Sequence, residues 1–143
     1  MRFEKVAENG YMIRLDAGEE IMEYLKKFSI KNRIKSCWFS GIGAVRKAEL
    51  AYYDLKKKEY ETRKLAGDFE VVSLSGNISW LGSEPVIHAH IVLSGRDMKT
   101  HSGHLMRAHV SATLEIFATC FAKKLGRGKD KETRLNLLHL IDF

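Results

Sequence analysis

The sequence predicts an α+β domain, a mainly antiparallel β-sheet with one principal helix. Three observations carry that prediction. Only one stretch, Asp16 to Ile30, has the 3.6-residue periodicity of an amphipathic helix. After residue 33 the chain is dominated by short runs in which apolar and polar residues alternate, the period of a half-buried strand. Short polar turns separate these runs, as antiparallel neighbours require.

Taken in order, Phe3–Val6 and Tyr11–Leu15 read as a hairpin around Asn9-Gly10, a strong two-residue turn signal. The helix follows. Asp16 and Glu19 have the spacing of a capping box. Ile21, Leu25 and Phe28, with Met22 beside them, form one apolar stripe, while Glu23, Lys26 and Lys27 face water. Strands are then expected at Ile34–Ile42, Lys47–Asp54 and Glu59–Arg63, the last two joined by a polar turn. Asp68–Trp80 is a longer strand, with Val72, Leu74, Ile78 and Trp80 on one face and Ser73, Ser75 and Asn77 on the other. Pro85–Leu93, His104–Val110 and Thr113–Phe121 continue the pattern. A polar break, Gly126–Lys131, precedes a last strand at Leu135–Ile141.

A chain of 143 residues, 45% hydrophobic and 29% charged, fits one soluble domain spanning residues 1–143. No apolar run approaches the roughly 18–20 residues that span a bilayer. The N-terminal stretch lacks the apolar core of a signal peptide, so a cytoplasmic protein is expected. Cys37 and Cys120 lie in apolar strand segments and read as buried, reduced thiols. A net charge of +6 suits weak attraction to a polyanion such as DNA but does not require it.

The candidate site is a set of histidines. In Pro85-Val-Ile-His-Ala-His-Ile-Val-Leu93, His88 and His90 are two residues apart and share one strand face. Ile87, Ala89, Ile91 and Leu93 make the other face wholly apolar. The loop 95–100 has the length to return the chain antiparallel, placing His104 opposite His88 or His90. On its own strand, His104 is expected to share a face with Met106, Ala108 and Val110. Three imidazoles without a thiolate favour zinc, with nickel, iron or copper as alternatives, and leave an open fourth position. His101 is the alternative third ligand, nearer the turn. Glu70 and Glu115 are candidate acidic partners.

Several blocks, in order, resemble the PPC (plants and prokaryotes conserved) domain. They are Gly41-Ile-Gly-Ala-Val45, Ala48-Glu-Leu-Ala-Tyr-Tyr-Asp54, Phe69-Glu-Val-Val-Ser-Leu-Ser-Gly-Asn77, Pro85-Val-Ile-His-Ala-His90, Gly103-His-Leu105 and Val110-Ser-Ala-Thr-Leu-Glu115. The resemblance implies a PPC-like α+β fold that assembles as a homotrimer. It also implies metal ligation by His88, His90 and His104. Ser102 stands where the family usually has the first glycine of Gly-Gly-His-Leu. Plant members carry AT-hooks; here Gly126-Arg-Gly-Lys129 lacks the proline and second arginine that a minor-groove hook needs.

Two functions follow as expectations. One is a metal-binding homotrimer contacting DNA through Lys56, Lys57, Lys58 and the basic 123–134 segment, with Tyr52, Tyr53 and Trp80 in the core. The other is a metalloenzyme acting on a small keto or hydroxy acid, similar in layout to acetolactate decarboxylase. There Glu70 or Glu115 would serve as acid or base, and an arginine such as Arg107 would hold a carboxylate. A purely structural assembly domain is the third possibility.

Overall fold

Three long strands set the architecture of the computed structural model, which describes residues 1–141. They are β3 (Ser36–Asp54), β4 (Glu59–Leu81) and β6 (Thr100–Phe121), of 19, 23 and 22 residues. Around them lie β1 (Arg2–Lys5), β2 (Gly10–Asp16), β5 (Glu84–Ser94), β7 (Arg127–Lys129) and β8 (Asn136–Leu138). The single helix, α1 (Ile21–Lys31), has 11 residues. The α+β expectation is therefore overturned: the molecule is nearly all β, with a single short helix.

The physical reason lies in β-bulges. Segments that read as separate strands are continuous, because a bulge absorbs an extra residue without ending the ladder. In β3 the register shifts between Gly41 and Gly43 and between Arg46 and Ala48, so the two expected strands 34–42 and 47–54 become one. Likewise 104–110 and 113–121 both belong to β6. A strand that bends in this way can pair with different neighbours along its length. β6 pairs with β5 near its start, with β2 near its end and with β3 through most of its length. The sheet order is β1-β2-β6-β3-β4-β5, and the β5–β6 pairing closes β3, β4, β5 and β6 into a ring.

One face of the sheet is the core. Leu15, Phe39, Leu74, Ile91, Leu105 and Leu114 are fully buried there, with Ile21, Leu25 and Phe28 of α1. The helix packs on β5 and β6. Phe28 meets Phe3 and Tyr11 edge-on, at 5.3 and 5.4 Å between ring centroids. The expected helix stripe is thus the one that is buried. Its start differs. Glu20 is the cap, accepting from the backbone N–H of Met22 at 3.1 Å and of Glu23 at 2.7 Å. Glu19 still accepts from the Asp16 N–H at 2.9 Å, the back-reaching half of the expected box.

Bulges also change which side chains are inside. Between Val71 and Ser73 the β4–β5 register shifts, so Val71 is buried and Val72 is 54% exposed. On β6, Leu105 and Ala108 are both buried, and the two residues between them both face out. His104 therefore does not share a face with Ala108 and Val110, which lie in the core. The Phe3–Val6/Tyr11–Leu15 hairpin forms, with Phe3 opposite Ile13, but the connection spans residues 6–9 and Gly10 belongs to β2.

Cys37 and Cys120 are free and lie opposite each other on β3 and β6, Cys37 buried and Cys120 half-buried. Their shared hydrogen bond, with burial, pushes the Cys37 thiol up. The polar break at 126–131 is in part a strand: β7 pairs with β8. No helix among the described residues is long and apolar enough to cross a membrane.

Candidate metal centre

The β4–β5 and β5–β6 ladders assemble the histidines. Ser75 and Asn77 of β4 lie opposite His90 and His88. His90 in turn lies directly opposite His104 of β6. Opposed residues point to the same face, so all three imidazoles stand together on the face away from the core. Gly76, between the two β4 partners, is required by close approach. A Cβ there would lie 2.3 Å from the His88 carbonyl oxygen and 2.6 Å from Cζ of Phe39. The Ala89 side chain opposite is buried, which keeps its two histidine neighbours turned outward.

The ring centroids are 5.3 Å apart for His88 and His90, 5.1 Å for His88 and His104, and 5.4 Å for His90 and His104. One nitrogen from each lies within 4.8 Å of the others. Nitrogens bound at about 2.0–2.1 Å to a tetrahedral ion are roughly 3.3 Å apart. Side-chain adjustments of about an ångström would therefore converge them on one ion. Burial pushes the His88 imidazole below its ordinary pKa, with Arg127 and His90 adding to the effect. Burial and then the charges of His88, His90 and Arg127 bring His104 down to about 4. Neutral imidazole is the form that ligates a metal. The donor set thus fits a divalent ion, with no ligating carboxylate or thiolate among the group.

Two neighbours complete the surroundings. The Tyr60 ring lies 5.1 Å from His104, tilted by 31°, and packs edge-on to Tyr53 at 4.8 Å. Burial and the neighbouring Tyr53 raise the Tyr60 pKa. Arg127 of β7 reaches across to β4, where its Nη2 donates to Oδ1 of Asn77 at 2.9 Å. Sequence reasoning placed Arg127 in a basic loop and gave it no role at the histidines. No periodicity marks a residue that arrives on a three-residue strand after a long return. Its signal is only a lone arginine between two glycines.

The other candidates lie elsewhere. His101 is opposite Leu93 and packs edge-on to Phe69 at 6.0 Å. Glu70 is opposite Ser94, about 15 Å along β4 from the partner of His90. Glu115 is opposite Arg14 and Ile42, about 35 Å along β6 from His104. Arg107 lies exposed across from Glu49, beyond the bulge that follows Leu105. Ser102 sits within β6 opposite Val92, so its replacement of the family glycine leaves the strand intact. Trp80 is half-buried and donates from Nε1 to the Ile34 carbonyl, whereas Tyr52 is 71% exposed rather than in the core.

Comparison with known proteins bears on this geometry. The family model of the Plants and Prokaryotes Conserved (PCC) domain matches residues 2–122. The chain belongs to the PCC domain family. The same domain, also abbreviated PPC, is seen in a solved Pyrococcus horikoshii plant- and prokaryote-conserved protein. That protein is 32% identical, with a TM-score of 0.86 over 94% of this PCC chain and 93% of its own. A metal-containing protein from Archaeoglobus fulgidus is 35% identical, with a TM-score of 0.86 over 98% of this chain and 99% of its own. A protein from Ralstonia eutropha JMP134, named as a proposed DNA-binding protein, is 28% identical, with a TM-score of 0.90 over 97% and 96%. No curated protein matches the sequence. Acetolactate decarboxylase from Bacillus subtilis shares the PCC fold at a TM-score of 0.59, but at 11% identity over 54% of its chain the likeness is one of fold alone.

Proposed function

We propose that this PCC protein holds one divalent metal, zinc, through His88, His90 and His104, and that it works as a homotrimer. The convergence of three imidazole nitrogens within 4.8 Å carries the metal reading. Burial supports it, because depressed pKa values keep His88 and His104 neutral at pH 7. The metal-containing relative from Archaeoglobus fulgidus supports it independently. When bound, the ion would supply a Lewis acid with an open fourth position. The chain's own part is to hold three neutral ligands on rigid ladders and to wall one side with Tyr60.

Elemental analysis of untagged protein tests the ligands. The wild type is expected to carry close to one metal per chain, and His88→Ala and His104→Ala to lose most of it. Equal metal content in all three would sink the assignment.

The trimer reading rests on the outer face as well as on the family. Trp38, Ile42 and Val72 are more than half exposed, and Ile42 and Val72 line one groove with Met12 and Phe117. A patch of this kind favours burial against another subunit. Its occupant in this reading is a second copy of the chain. Light scattering of Ile42→Glu should report a smaller assembly than the wild type.

The proposed DNA-binding relatives extend to this chain the reading that the trimer contacts DNA. Lys56 and Lys58 in the exposed β3–β4 turn, and the 123–134 segment, would meet phosphates. Lys57 is less available, since it pairs with Glu61 at 2.5 Å. Phosphate contacts demand binding that weakens steeply with added salt. The absence of any gel shift at low salt would end this part of the proposal.

A further inference from the structure

Arg127 is half-buried beside the histidines, yet every acceptor that holds it among the described residues is neutral. Its Nε donates to Ser79 Oγ at 2.6 Å, its Nη2 to Asn77 Oδ1 at 2.9 Å, and its Nη1 to the Asn136 carbonyl at 2.8 Å. These bonds fix the guanidinium plane without cancelling its charge. One N–H remains on each terminal nitrogen. The ionisable group that bears on Arg127 is Tyr60. Those that bear on His88 and His104 are Arg127 and the other histidines. No carboxylate among the described residues enters this field.

A divalent ion on three neutral imidazoles, beside Arg127, would bring the formal charge to roughly +3 in a half-buried place. Water cannot fully screen such a cluster, and among the described residues no carboxylate accepts from Arg127. Such a cluster favours an anion beside it. An arginine whose plane is fixed, and whose terminal nitrogens each keep an N–H beyond the bonds made among the described residues, is suited to a planar or tetrahedral oxyanion. Resting on the metal reading above, we propose that the centre binds a small oxyanion between the metal's open position and the Arg127 guanidinium. The carboxylate of a small organic acid and free phosphate share this chemistry. Arg127, rather than Arg107, is then the anion-holding residue.

The test uses the full chain loaded with cobalt(II), whose visible absorption reports its coordination. Wild type, Arg127→Gln and Asn77→Asp are each titrated with acetate, pyruvate and inorganic phosphate. Cobalt content is measured in every sample. Asn77→Asp keeps an acceptor on Arg127 while answering its charge, so it separates charge from mere anchoring of β7. The expected result is a saturable spectral change in the wild type. In both variants the apparent affinity falls about tenfold or more at unchanged cobalt content. A response to acetate or pyruvate identifies a carboxylate ligand, and a response to phosphate alone identifies phosphate. Equal affinity in all three proteins, or no spectral change with any probe, overturns the proposal while leaving the metal reading standing. A wild-type chain that takes up no cobalt overturns both.

Discussion

Along β5, neighbouring residues serve two different environments. Ala89, Ile91 and Leu93 are buried against the helix and the long strands. His88 and His90, one position away from them, face outward beside His104, which packs on Tyr60, with Arg127 near His88. The core face is apolar and uncharged. The outer face gathers three imidazoles, with a guanidinium beside them. A strand alternates side chains strictly, so both sets are held by the same backbone ladder. Stability and chemistry are thereby divided by face rather than by region, and substitutions should divide in the same way.

The largest expected effect comes from breaking the core face next to the site. Leu105 is fully buried and adjoins His104. Leu105→Ala should destabilise the fold by about 2–5 kcal/mol through lost burial and a cavity. Metal content per folded chain should be unchanged. Urea unfolding with metal analysis checks both. Loss of metal at full stability would mean that the two faces are not separable.

Residues that obey strict alternation were legible in the sequence. His88, His90 and the apolar face of β5 follow directly from period 2, and the length of the 95–100 loop brings His104 opposite His88 or His90, of which the structure selects His90. What escaped was whatever a bulge decides. The outward pair Met106-Arg107 places Ala108 and Val110 in the core, and the shift at Val71/Ser73 exposes Val72. The fold class was misjudged for a related reason. The helix announces itself strongly in sequence, while bulges hide the continuity of β3 and β6, so the weight of the sheet was underestimated. Arg127 was illegible because a contact between β7 and β4 spans about fifty residues and leaves no local pattern.

A smaller effect belongs to the outer face in acid. The unfolded chain takes up a proton on His104 near the ordinary value of about 6.5. The folded, metal-free protein resists until about 4. Between these values the unfolded state binds more protons, so stability falls as the pH drops through this window. The loss should be less than that of Leu105→Ala, because a half-buried imidazole is partly screened by water. Metal-free His104→Ala should lose less stability than wild type between pH 7 and pH 4.5, measured by urea midpoints. An NMR titration placing His104 near its ordinary value would remove the electrostatic half of the comparison.

The smallest effect is expected at Tyr60, and it decides what kind of wall the ring provides. The ring packs on His104 and Tyr53, whereas the Tyr53 hydroxyl is the one that donates onward, to the Thr133 carbonyl at 2.5 Å. Tyr60→Phe keeps the stacked ring and removes only the hydroxyl. It should change cobalt affinity by no more than about twofold, because an aromatic contact depends on the ring face. Tyr60→Ala should weaken binding further by opening the side of His104 to water. Were Tyr60→Phe to lose as much as Tyr60→Ala, the hydroxyl itself would be meeting the ion or the anion beside it. Tyr60 would then belong with Arg127 as a group that touches the ligand, and the outer face would hold its ligand from three sides rather than two.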